Sequence, residues 1–170
     1  MKKALWVTAL VVFCAIGSWA QYDSKVDVFG GYSFVHSDPG LSLASGNANG
    51  WEASLTYNWN KWLALKADVD GHYCCDQSMH NFLFGPQFNF GNGKLKPFVH
   101  GLVGASHGTS TGGFSDTVLG FAAGGGLDVK WTDRISVRLV QADYLGTRYG
   151  GATQNNFRLS AGIVFHFGRK

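Results

Sequence analysis

Asn156-Phe157-Arg158-Leu159-Ser160-Ala161-Gly162-Ile163-Val164-Phe165-His166-Phe167 carries an apolar residue at every odd position and, at most even positions, a polar or small one. A period of two sustained over such a length describes a single long strand with an oily face and a wet face. At roughly 3.3 Å per residue it crosses a bilayer when tilted, for which about 9–11 residues suffice. Strands of ordinary globular domains are about half as long.

The other end of the chain points to export. Lys2 and Lys3 precede a compact apolar run, Ala4 to Ile16, followed by Ser18-Trp19-Ala20. A basic start, a short greasy core and small residues three and one before a cut describe a secretory signal peptide over 1–20, cleaved after Ala20. The run is too short for a spanning helix, which needs about 20 residues. Cys14 follows Val11-Val12-Phe13 rather than the small residue usual beside a lipidated cysteine, so it reads as apolar filler.

Residues 21–170 then form one domain, with a charge that is nearly balanced once Lys2 and Lys3 are removed. Nothing in that balance calls for nucleic acid. The chain has 24 Gly and only 3 Pro, and 15% of it is aromatic, which disfavours disorder and helical bundles alike. No segment keeps a helical period, and no run outside the leader approaches a membrane helix. Membrane residence therefore requires a closed barrel, in which each backbone polar group pairs with a neighbouring strand.

Eight strands can be traced, joined by alternately short and long connections. The first, about Lys25 to Val35, sets Val26, Val28, Gly30, Tyr32 and Phe34 against Asp27, Gly31 and Ser33. A polar loop from His36 to Asn49 follows. In the second, Trp51, Ala53, Leu55, Tyr57 and Trp59 alternate with Glu52, Ser54, Thr56 and Asn58, and Asn60-Lys61 turns the chain. The third, Trp62 to Tyr73, puts Leu63, Leu65, Ala67 and Val69 outward and Lys66, Asp68, Asp70 and His72 inward. The fourth sets Phe82, Phe84, Pro86, Phe88 and Phe90 against Asn81, Gly85, Gln87 and Asn89, and Gly91-Asn92-Gly93 reverses it.

The fifth, Lys96 to Ser106, is nearly equal on its two sides; Pro97, Val99, Gly101 and Val103 are placed outward. A Gly/Ser/Thr loop spans His107 to Ser115. The sixth turns Phe121, Ala123, Leu127, Val129 and Trp131 to lipid and Gly124, Gly126, Asp128 and Lys130 inward, before a Thr132-Asp133 turn. The seventh begins with Ile135, Val137 and Leu139 outward and Arg138 inward, then slips near Val140. A β-bulge there brings Gln141 and Asp143 inside.

These parts resemble the OmpA-type family of eight-stranded outer-membrane barrels, in particular its stand-alone members. The resemblance rests on DVFGGYSFV (27–35), KPFVHGLVGA (96–105), GFAAGGGLDVKWTDRISVRLVQADYL (120–145) and NNFRLSAGIVFHFG (155–168), and on Phe165 and Phe167, which look like the family's terminal sorting signal. It implies an all-β, antiparallel up-and-down transmembrane barrel in the bacterial outer membrane, surrounded by outer-membrane lipid and inserted by the barrel-assembly machinery. A monomer is expected. Both ends of the 21–170 chain should lie on the periplasmic side, with the loops around Gly40, Gln77, Thr111 and Gly151 outside. The peptidoglycan-binding domain that some relatives carry at the C-terminus is not seen after Phe167.

An eight-stranded barrel is just wide enough for side chains to fill it. The inward charges Asp27, Glu52, Lys66, Asp68, Asp70, Asp128, Lys130, Arg138 and Arg158 are of mixed sign and should form a paired, hydrated network. Structural pairing is the favoured reading of that network. The rival is a narrow ion path gated by re-pairing of Glu52 with Lys66 or Arg138.

Aromatics gather at two levels: Trp59, Trp62, Phe90, Trp131, Phe165 and Phe167 by the short turns, and Tyr32, Phe34, Trp51, Tyr73, Phe82 and Tyr144 by the long loops. A membrane barrel needs two such girdles. A lipocalin-like soluble barrel would turn its apolar face inward, whereas here the other face carries the charges.

Chemical sites are weaker signals. His72, Cys74, Cys75, Asp76 and His80 offer donors to zinc or copper, but adjacent cysteines rarely fit one tetrahedral site, and an exported thiol pair can instead oxidise. His36-Ser37-Asp38 and Ser106-His107 contain triad residue types, yet sequence neighbours are seldom a triad in space. No cofactor, metal site or catalytic set is assigned. The leading expectation is a non-enzymatic structural or surface-interaction protein that can meet an extracellular ligand; the alternative is a small gated, porin-like conduit, with a lipid-modifying barrel enzyme, for which no motif is seen, ranked below both.

Overall fold

The structure, a computed structural model, describes residues 24–37, 47–74, 77–91, 93–110, 115–149 and 152–169. The segment read as a signal peptide, 1–20, lies outside the described residues, as do Gly40, Cys75, Asp76, Asn92, Thr111 and Gly151. Eight strands follow one another: β1 (Ser24–Ser37), β2 (Asn47–Asn58), β3 (Leu63–Cys74), β4 (Gln77–Asn89), β5 (Leu95–Ser110), β6 (Ser115–Lys130), β7 (Ile135–Tyr149) and β8 (Ala152–Arg169). Each pairs antiparallel with the next, and β8 returns to β1 to close the barrel. The seam runs in unbroken register from Val26 opposite Phe167 to His36 opposite Phe157.

Alternation decides which face is which. Leu55 is 52% exposed while its neighbours Ser54 and Thr56 are buried in the lumen, and β3 and β4 repeat the pattern. The wall is thus apolar outside and polar inside, as hydrocarbon requires. β5 follows the expected facing, since Val99 and Val103 are exposed and Phe98, His100 and Leu102 buried.

On β7 the register shifts: Leu127 faces Val140, but Asp128 faces Arg138. Leu139 is the extra residue, and both it and Val140 point outward. The phase change carries Gln141 and Asp143 into the lumen.

The hairpins at the loop end run further than the alternation suggested. Where a loop from His107 to Ser115 was expected, the described residues 107–110 and 115 are ladder, with His107 opposite Thr117 and Thr109 opposite Ser115. Similarly, His36 pairs with Asn47 where a loop from 36 to 49 was expected. Above the hydrocarbon no apolar face is demanded, and polar cross-strand pairs hold the ladder instead. Examples are His36 Nδ1 at 2.8 Å from Asn47 Oδ1 and His107 Nδ1 at 2.8 Å from Thr117 Oγ1.

Candidate functional site

Lumen side chains form successive layers. Nearest the short turns, Asp27 on β1 receives hydrogen bonds from Ser24 Oγ (2.7 Å) and Asn58 Nδ2 (2.8 Å), and its Oδ1 lies 2.6 Å from His166 Nδ1. His166 Nε2 meets Ser136 Oγ at 2.6 Å, while Asn89 and Gln87 extend the chain across β4.

One step toward the loops, Phe29 and Phe98 reach in from β1 and β5, which lie on opposite walls. They clamp the Arg138 guanidinium, whose Cζ sits 4.3 Å and 4.4 Å from the two ring centroids. A desolvated cation between two aromatic faces is a favourable arrangement. Arg138 also grips Asp128 with two donors, Nε to Oδ1 at 2.8 Å and Nη2 to Oδ2 at 3.1 Å. The glycine run of β6 makes room for this layer and the next. A Cβ on Gly126 would stand 2.7 Å from the Phe98 ring, and one on Gly124 would stand 2.1 Å from Asp143 Oδ1.

The third layer is centred on Arg158, fully buried on β8. Its Nη1 donates to Asp68 Oδ1 (2.9 Å) and to Asp70 Oδ2, and its Nη2 donates to Asp143 Oδ2 (2.6 Å). Glu52 Oε2 lies 3.8 Å from Nε. Lys66 Nζ stands 2.9 Å from Asp68 Oδ2 and 3.5 Å from Glu52 Oε1. Gln141 joins the layers: its oxygen accepts from Arg138 (2.6 Å) and Lys66 (3.2 Å), and its amide donates to Glu52 (2.8 Å) and Asp143 (2.7 Å).

Carboxylates outnumber cations here, and two histidines lie beside them. His72 Nδ1 is 3.1 Å from Asp70, and His100 Nε2 is 2.9 Å from Asp143. Loopward of these charges, buried Leu83, Leu102, Ala122 and Leu145 form an apolar cluster capped by Met79.

Of the charges expected inside, Glu52, Lys66, Asp68, Asp70 and Arg158 meet in one network, to which Asp128 and Arg138 connect through Gln141. Asp27 and Lys130 stand apart. Asp27 belongs to the layer by the turns, and Lys130, 35% exposed at the end of β6, pairs with Asp133 at 2.7 Å. Lys130 sits where the wall ends, so its long chain turns to the rim and its charge stays wet. Asp143, His72 and His100 were absent from the expected network. The bulge on β7 and the inward phases of β3 and β5 were the signals that could have added them.

The donors weighed for a metal do not converge. His72 points into the lumen, where its Nε2 is 2.9 Å from Ser33 Oγ, whereas His80 lies on the outer side with Tyr73 Oη 3.2 Å from its Nε2. Among the described residues no group of three or more His, Cys, Asp or Glu is arranged to hold a metal ion. Ser106 is buried and faces inward, while His107 faces outward against Thr117.

Residues 6–165 match the family model described as outer membrane protein beta-barrel domain. Solved structures with the same fold include Neisserial surface protein A (TM-score 0.67, 17% identity, covering 86% of this chain and 100% of that one). OprG from Pseudomonas aeruginosa is also similar (0.59, 12%, 88% and 98%). So is Ail, the attachment invasion locus protein of Yersinia pestis (0.58, 18%, 84% and 99%), which has also been crystallised with the heparin analogue sucrose octasulfate. No curated protein sequence matches the chain.

Proposed function

Because the chain belongs to the outer membrane protein beta-barrel domain family, we propose that it serves the bacterial outer membrane without catalysing a reaction, as a structural and surface-interaction protein. In this reading residues 1–20 direct export and are removed, the barrel-assembly machinery inserts the barrel, and it works as a monomer in lipid. The short turns face the periplasm and the long hairpins face outward.

The observation that carries this reading is the filled lumen. The phenyl rings around Arg138 and the ion network around Arg158 join side chains from opposite walls, and the leucine cluster packs the interior along β4 to β7. Moving an ion through would mean separating fully buried pairs, at several kcal/mol for each ion left uncompensated. In planar bilayers the folded protein is expected to pass no stable current. Steady openings abolished by Glu52→Gln or Lys66→Met would instead establish the conduit, the second reading, which is favoured by Lys66 lying within reach of both Glu52 and Asp68.

The outer hairpins supply the interaction surface. Connecting segments 38–46, 75–76, 111–114 and 150–151 contain no Lys or Arg, and the described ends of those hairpins expose one cation, Arg148, and one carboxylate, Asp116. A polyanion of the kind crystallised with Ail therefore fits this end poorly. A polar, uncharged surface such as a glycan or peptide backbone suits its Asn, Ser, Thr and His side chains. Orientation is tested by surface labelling of whole cells. A tag at Thr111 should react and one at Asn92 should not, and the opposite result would invert the assignment.

A further inference from the structure

Among the described residues the exposed cations, Arg148 apart, are gathered at one end of the barrel. Lys25 opens β1, Lys61 lies in the β2–β3 turn, Lys94 in the β4–β5 turn and Arg134 in the β6–β7 turn, and all four are exposed. None of the four forms an ion pair among the described residues. Lys96 and Lys130 stand at the same level, where Lys130 is matched by Asp133, and Arg169 follows on β8.

Aromatic side chains are interleaved with these cations. Trp59 and Trp62 bracket Lys61, Trp131 precedes Arg134, and Phe90 stands by the turn of Lys94. Trp131 and Trp59 are 77% and 74% exposed, the two highest values among the exposed large hydrophobics. The opposite rim has aromatics too, in Tyr32, Trp51, Tyr73 and Tyr144, but without this crown of cations.

We propose that the short-turn rim is a binding surface for anionic phospholipid headgroups in the leaflet it faces. This rests on the reading that the protein spans the outer membrane with its short turns in the periplasm, where that leaflet is phospholipid. Indole rings settle at the headgroup level, and an ammonium or guanidinium beside them meets the phosphates there. The distribution favours lipid over a macromolecule. The basic turns are spread around the circumference beside outward-facing aromatic rings, and a lipid annulus touches every side. Near an anionic surface each cation contributes on the order of a five-fold preference at low salt, and that attraction is screened as ionic strength rises.

The test uses protein purified folded from outer membranes, with residues 1–20 removed, in phosphatidylcholine vesicles carrying a tracer of brominated phosphatidylglycerol or an equal tracer of brominated phosphatidylcholine. In a Trp51→Phe variant the fluorescence comes from Trp59, Trp62 and Trp131. Quenching by the anionic tracer should exceed that by the neutral one several-fold, and should fall to parity in 0.5 M salt, on the order of a 4 Å screening length. Lys61→Gln, Lys94→Gln and Arg134→Gln together should also remove the excess, with unheated gel mobility confirming that the variant is folded. Trp51 alone, in a Trp59→Phe, Trp62→Phe, Trp131→Phe variant, should report no excess.

Equal quenching by the two tracers at the short-turn rim, or an excess that survives the triple substitution, would overturn the proposal. So would absence of lipid preference together with co-sedimentation on cell-wall polymer that depends on Lys61, Lys94 and Arg134, which would assign the crown to the wall instead. Failure of the orientation is read separately, because labelling Asn92 from outside would move the crown to the other leaflet while leaving its lipid preference intact.

Discussion

Replacing Arg158 by methionine keeps most of the side-chain volume and removes the charge at the centre of the lumen. Its guanidinium touches Asp68, Asp70 and Asp143 and lies near Glu52. Breaking a buried ion pair by removing one partner costs about 3–5 kcal/mol. Four separate penalties of that size are not expected, because each carboxylate keeps another partner. Asp68 retains Lys66 at 2.9 Å, Asp70 retains Asn81 at 2.6 Å, Asp143 retains Gln141 at 2.7 Å, and Glu52 retains Gln141 at 2.8 Å. The expected loss is therefore about 3–5 kcal/mol in total. Urea unfolding in lipid vesicles, followed by tryptophan fluorescence and extrapolated linearly, measures it. The exposed control Arg148→Met should stay within about 0.5 kcal/mol. Adding Asp70→Asn and Asp143→Asn to Arg158→Met should recover at least about 1 kcal/mol, since the carboxylates and the guanidinium couple directly. A loss below about 1 kcal/mol, or a triple variant no more stable than Arg158→Met alone, would refute the account of the network.

Leu55→Arg faces lipid and should destabilise by about 2–4 kcal/mol if it lies near the bilayer midplane, whereas Thr56→Arg enters the lumen and escapes that penalty, meeting crowding instead. Equal damage, or the reverse order in the same unfolding assay, would contradict the facing. Gly126→Val pushes into the Phe98 ring and should cost about 1–3 kcal/mol; Gly30→Val, with nothing within 4 Å of its Cβ, should not show that overpacking loss. Cysteines at Val28 and Phe165, opposite each other on β1 and β8, and at neighbouring register pairs should give at least one intramolecular disulfide in a background without Cys74 and Cys75. If none forms on non-reducing gels while the control pair Ala53 and Val69 cross-links, the closed seam is wrong.

Legibility in the sequence followed the solvent. Where lipid presses on the wall, as from Trp51 to Asn58, hydrocarbon forbids a polar residue at every second position and the facing can be read one residue at a time. Beyond the girdle that pressure ends, so the continued pairing of His36 with Asn47 and of His107 with Thr117 left no periodic trace. The lumen was legible in kind but not in partnership. Arg158 meets Asp68 across 90 positions of sequence, a meeting set by strand tilt and register that no local pattern encodes. Lys130 failed as a lumen residue for a related reason, since alternation gives direction but not height on the wall.

The irregularity at Leu139 and Val140 bears on how the sheet finds its alignment. A strand of strict alternation is degenerate, because sliding it by two residues returns every side chain to the face it left. Most of this barrel has that ambiguity. β7 does not: its two halves are in opposite frames, joined by adjacent outward residues, and the shift against β6 falls at Leu127 and Asp128. A slide by two would carry the double step away from that point and, with it, take Arg138 off Asp128, breaking the two-donor grip that only the aligned strands make. The bulge thus acts as an index mark on an otherwise repeating scale, and β8, reading its own register from β7, passes a single alignment on to β1.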